Sequence, residues 1–131
     1  MEAEFIPYEQ ALALKELGFD EPCFGYYVPL SDNTQELEIK LIETNGNRII
    51  IAPLYQQAFR WFREKYNLRG FIGFRPNVKQ FDCHIYDMSL SGVEYTKQRT
   101  TEEYNKDTKV GTYEEAELEC LRKLIEIVKN K

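Results

Sequence analysis

Cysteine, histidine and clustered glycine are what this chain has least of, and each scarcity removes a class of chemistry. The three cysteines, Cys23, Cys83 and Cys120, are odd in number and widely spaced. They offer neither a disulfide framework nor a Cys-x-x-Cys clip, which suits a reducing compartment. A zinc site drawn from Cys23, Cys83, His84 and Cys120 lacks the paired spacing that such ligands show. His84 is the only histidine. On a strand it would point away from its neighbour Cys83, so the two cannot act together as base and nucleophile. The seven glycines are scattered, and no spacing among them matches a phosphate-cradling or dinucleotide-binding loop.

Long apolar stretches are missing too. Runs such as Ile49-Ile50-Ile51-Ala52 are far too short to span a bilayer. The acidic opening Met1-Glu2-Ala3-Glu4 leads into Phe5-Ile6-Pro7 without a basic or apolar leader pattern, so no secretory signal is expected and the expected location is the cytoplasm. Carboxylate pairs occur, but Glu114 with Glu115 and Glu117 with Glu119 read as a solvated helix face. Asp82 and Asp87 have no partner acid or base that would assign a reaction. No catalytic residue, metal ligand or cofactor is therefore assigned, and an enzyme of unknown type is the reading with least behind it.

What is present is an ordinary globular composition. Hydrophobic residues make up 43% and charged residues 30% of 131, which excludes wholesale disorder and suits one domain with its own core. Nine tyrosines, eight phenylalanines and Trp61 are generous for this length. Rings in that number fit a packed α+β core with some left over for a binding face.

One phrase recurs at the head of three apolar-periodic runs: Tyr8-Glu9-Gln10-Ala11, Tyr55-Gln56-Gln57-Ala58 and Tyr113-Glu114-Glu115-Ala116. Its unequal spacing and the unlike sequences that follow argue against a repeat architecture. It reads instead as a shared way of starting a helix. The first helix should run from about Pro7 to Leu17, with Ala11, Leu12, Leu14 and Leu17 inward and Gly18-Phe19 as a left-handed stop. The second should open after Pro53 and place Tyr55, Ala58, Phe59, Phe62 and Tyr66 on one face, with Asn67 as the cap and Trp61 to one side. The third, Thr112 to about Lys129, has a Thr112-x-x-Glu115 capping box and an inward stripe of Leu118, Leu121, Leu124, Ile125 and Val128.

Strands are expected over Cys23–Val28, Leu37–Leu41, Arg48–Ile51, Gly70–Phe74 and Phe81–Met88, the last with Phe81, Cys83 and Ile85 on one face. Asn45-Gly46 predicts a tight hairpin that pairs the second strand with the third. Residues 89–111 are expected to form a long loop, with a short strand near Gly92–Lys97 as an option. The predicted architecture is a single α+β domain spanning residues 1–131. Its order is α-β-β-β-α-β-β-α, with a mostly antiparallel sheet of about five strands covered by three helices.

Net charge is −5, yet it is unevenly spread. Residues 60–79 carry Arg60, Arg63, Lys65, Arg69, Arg75 and Lys79 against Glu64 alone, a local excess of five cations. Rings are interleaved with them: Trp61, Tyr66, Phe71 and Phe74. Exposed rings beside guanidinium groups are what single-stranded nucleic acid would stack on, which singles out Arg60, Trp61, Arg63, Arg69 and Arg75 as binding residues. In the competing reading the rings are core and the arginines merely solvate an outer face. The same charges could also meet an acidic protein, including a second copy of this chain through its acidic C-terminal helix.

The stretches Tyr8-Glu-Gln-Ala-Leu-Ala-Leu-Lys-Glu-Leu-Gly-Phe-Asp-Glu-Pro-Cys23, Ala52-Pro-Leu-Tyr-Gln-Gln-Ala-Phe-Arg-Trp-Phe-Arg-Glu-Lys-Tyr66 and Tyr113-Glu-Glu-Ala-Glu-Leu-Glu-Cys-Leu-Arg-Lys-Leu124 resemble a family of small hypothetical proteins. These are encoded by phages and prophages of gut-type bacteria. Regions 29–48 and 89–111 share no such likeness, and Leu54 departs from the polar cap expected before Tyr55. The resemblance brings no activity, cofactor or site residue. It implies an accessory protein of a mobile element. The leading expectation is a non-catalytic binding or interaction protein, with a protein partner or self-association; the alternative is a nucleic-acid binder using residues 60–79.

Overall fold

A computed structural model describes residues 4–42, 49–77, 79–88 and 112–130, with only the backbone described for 40–42. The fold class is α+β, in the predicted order. Helix α1 spans Tyr8–Glu16, strands β1, β2 and β3 span Cys23–Pro29, Gln35–Ile42 and Ile50–Ala52, and helix α2 spans Tyr55–Tyr66. Strands β4 and β5 follow at Leu68–Arg75 and Gln80–Asp87, and helix α3 closes the chain at Tyr113–Lys129. All strand pairs are antiparallel, but the five strands are divided between two sheets, ordered β2-β1-β3 and β4-β5. The chain forms two compact units, Met1–Gln57 and Ala58–Lys131.

Each helix begins at the tyrosine of the recurring phrase, although the three starts are closed differently. Pro7 is the N-cap of α1 and makes no side-chain cap bond. Thr112 caps α3: its hydroxyl accepts from the Glu115 N–H at 3.1 Å and donates to the Glu115 carboxylate at 2.9 Å. The stops are as predicted. Gly18 has φ 98°, and the N–H groups of Gly18 and Phe19 return to the carbonyls of Lys15 and Leu14. That pair of bonds needs a left-handed residue after the helix, where a Cβ is costly. Asn67, at φ 56°, ends α2 in the same hand, its N–H reaching the Arg63 carbonyl at 3.2 Å.

In the first unit the Phe5-Ile6 segment joins the end of β3. Phe5 bridges Leu54, and the Ile6 N–H donates to the Pro53 carbonyl at 3.0 Å. The Phe5 ring lies on β1 because Gly25 has no side chain; a Cβ there would stand 2.7 Å from it. Tyr27 donates to the Ile6 carbonyl at 2.8 Å and meets Tyr8 edge-on. Cys23 is buried, and its thiol donates to the Glu21 carbonyl. Burial first, then the Glu21 charge, push its pKa up to about 12.

The predicted β2–β3 hairpin is corrected. Strand β1 lies between them and pairs with both, so β2 and β3 run parallel on its two sides. Burial explains the choice. Ile50, Ile51 and Ala52 are all buried, whereas Glu36, Glu38 and Ile39 on β2 are exposed. The aromatic β1 is the better partner for a fully apolar strand. The Asn45-Gly46 turn and the loop at 89–111 lie outside the described residues.

In the second unit, α3 packs on β4 and β5. It buries Ala116, Cys120, Leu121, Leu124 and Ile125, whereas Leu118 and Val128 are only half-buried. The stripe is thus turned toward the smaller residues, because α3 sits close to the sheet. Gly70 permits this: a Cβ there would lie 3.0 Å from both Cys120 Sγ and a Leu124 methyl. Among the described residues no helix is long and apolar enough to cross a membrane.

Candidate functional site

Strand alternation splits β4 and β5 into two faces. Leu68, Gly70, Ile72 and Phe74 pair with Asp87, Ile85, Cys83 and Phe81 on one of them. This is the face toward α3, as Gly70 beneath Cys120 and Phe81 against Tyr113 establish. On the opposite face Arg69 pairs with Tyr86, Phe71 with His84, Gly73 with Asp82 and Arg75 with Gln80.

The rings on that face lie nearly parallel. Phe71 stacks with His84 at 4.9 Å and 12°, and with Tyr86 at 5.8 Å and 17°. The Arg69 guanidinium lies over the Phe71 ring at 5.3 Å, a cation–π contact. Gly73 leaves room for the His84 ring, whose Nε2 would be 2.7 Å from any Cβ there. Phe71, His84 and Tyr86 are half-buried and Arg69 is exposed.

Beyond His84, Arg75 Nε donates to Asp82 Oδ2 at 2.5 Å, with the arginine 46% and the aspartate 5% exposed. Asp82 Oδ1 is buried and accepts no hydrogen bond among the described residues. This carboxylate is committed to fixing Arg75. Burial holds the His84 pKa below its ordinary 6.5; Asp82 pulls it upward and Arg75 downward. The ring is consequently neutral near pH 7.

The five residues singled out by sequence have different surroundings. Arg69 and Arg75 are exposed on the face of β4 away from α3. Arg60 and Arg63 are exposed on α2. Trp61 between them is 6% exposed, meets Phe62 and Tyr66 edge-on, and has the Lys65 ammonium over its ring at 5.0 Å. A ring so enclosed cannot receive an incoming base. His84 and Tyr86 are not among those five, because the charge run is linear and ends at Lys79. The signal lay in the period of two: Arg69-x-Phe71-x-Gly73-x-Arg75 opposite Gln80-x-Asp82-x-His84-x-Tyr86.

Other residue pairs are separated. Asp82 lies on the face away from α3 and Asp87 on the α3 side, both buried. Cys120 Sγ approaches the His84 backbone carbonyl at 4.0 Å, on the side away from the imidazole. The Cys83 thiol beside it, and burial, raise the Cys120 pKa well above the usual thiol value. Among the described residues no group of three or more His, Cys, Asp or Glu side chains is placed to hold a metal ion. Compared with family models, curated proteins and solved structures, the chain matches none of them.

Proposed function

We propose that this is a non-catalytic binding protein and that its working surface is the face of β4 and β5 away from α3. The observation that carries the reading is the near-parallel series of Phe71, His84 and Tyr86, with an arginine at each end. A half-exposed series of flat rings beside cations suits a ligand that combines planar groups with negative charge. A catalytic role has no such support: the Cys120 thiol lies across the sheet from the His84 ring with its pKa raised by Cys83 and by burial, and Asp82 is tied to Arg75. The resemblance to small phage-encoded proteins, together with three buried thiols, supports an accessory role for a mobile element inside a reducing cytoplasm.

The test is to titrate the protein with three probes: a single-stranded oligonucleotide, poly-glutamate and the protein itself. Binding of any one of them should weaken when Phe71 and Tyr86 are both replaced by leucine, with the circular dichroism spectrum unchanged. If no probe binds, or binding is indifferent to these two rings, this face is not the working surface.

A further inference from the structure

We infer that the occupant of this face is single-stranded nucleic acid, laid along β4 with bases against the rings and phosphates at Arg69 and Arg75; this rests on the reading of the face as the binding surface. Three observations favour it over a protein partner. First, every apolar side chain on the face is aromatic. Arg69, Phe71, Gly73, Arg75, Gln80, Asp82, His84 and Tyr86 include no aliphatic residue, although β4 and β5 place Leu68, Ile72 and Ile85 on the other side. A protein interface enriches rings and arginine too but sets them in a continuous apolar core, whereas base stacking needs only ring faces.

Second, the Phe71 ring lies within 12° of His84 and 17° of Tyr86, so a base that stacks against one of these rings lies nearly parallel to the others. Third, the charges are spaced for a polyanion. Arg69 and Arg75 are six residues apart on one face, about 20 Å along a strand. At about 3.4 Å per stacked nucleotide that distance accommodates on the order of six nucleotides, and fewer when the bases are splayed. Asp82 occupies Arg75 Nε, and with 46% of the side chain exposed the terminal nitrogens of that guanidinium can still reach an anion. The one carboxylate on the face is thereby spent within the protein, which leaves little to repel phosphate.

Fluorescence anisotropy with a labelled oligothymidine of about ten nucleotides, within the range of small single-strand binders, tests the inference. Two phosphate contacts predict a slope of about −1.4 for log affinity against log salt, falling to about −0.7 in Arg69→Ala. Phe71→Leu should weaken binding about ten-fold with the salt slope unchanged. No binding at low salt, or a slope and affinity indifferent to both substitutions, overturns the inference. Arg69 is exposed, so its variant stays informative even where Phe71→Leu disturbs the sheet. Poly-glutamate bound through Arg69 and Phe71, with no binding of oligothymidine, would refute the nucleic-acid assignment and leave the binding face standing. If neither probe depends on these residues, both fall.

Discussion

The Arg75–Asp82 pair is unequal in its surroundings, and the inequality decides what substitution does. Asp82 is buried while nearly half of Arg75 reaches solvent. Arg75→Ala strands a buried carboxylate whose other oxygen already lacks a partner among the described residues, and should cost about 2–3 kcal/mol. Asp82→Asn leaves an arginine that water can solvate, and should cost less than about 1.5 kcal/mol. Urea unfolding of both variants checks the order; an equal or reversed pair of midpoints would contradict it. His84 gives a pH dependence of definite sign. Its folded pKa lies below 6.5, so the unfolded chain takes up the proton first. The contribution is complete above about pH 6.5 and is lost as pH falls through the lowered folded value. Denaturation at about pH 7.5 and about pH 5 should therefore show a loss of stability that is smaller in His84→Gln. At this scale the sequence was a partial guide. Arg69 and Arg75 were legible from charge, but Trp61 was not, because composition does not say whether a helical ring beside the apolar stripe is covered.

Helices were read more securely than strand partners. The three tyrosine-led starts, the Gly18 and Asn67 stops and the capping box depend on residues within a few positions of each other, and all are present in the structure. Thr112→Ala removes the one side-chain cap described at these helix starts and should destabilise the protein by about 1 kcal/mol. Thr112→Ser should restore it, which a thermal melt of the two variants can read. A variant of Thr112→Ala that melts like the parent would mean that α3 is held by its buried face alone. Pairing was less legible because partner choice is settled by burial across distant segments. An Asn-Gly signal between Leu41 and Ile50 names a local hairpin, yet the apolar Ile50-Ile51-Ala52 pairs with β1. The glycines behaved as close-approach positions: Gly25 receives Phe5, Gly70 receives α3 and Gly73 receives His84. Such roles become visible only when the neighbour across the fold is known.

For the whole molecule, composition and periodicity sufficed for the α+β class and the element order, but not for the division of five strands between two sheets. The face of the second sheet away from α3 is the part of the candidate site that depends on that division, since its two halves come from separate strands. The same division distributes the thiols. Cys23 is buried in the first unit, and Cys83 and Cys120 in the second. With Cys23 held near pKa 12 and Cys120 well above the ordinary value, a thiol reagent at about pH 8 should reach them only when the surrounding core opens. Cys83 and Cys120 share one core and should be modified at a common rate, followed by mass spectrometry of peptides; modification of either alone in the native protein would contradict the packing. Cys23 will follow its own rate. Without any engineered label, the chain carries a separate clock for the opening of each of its two cores.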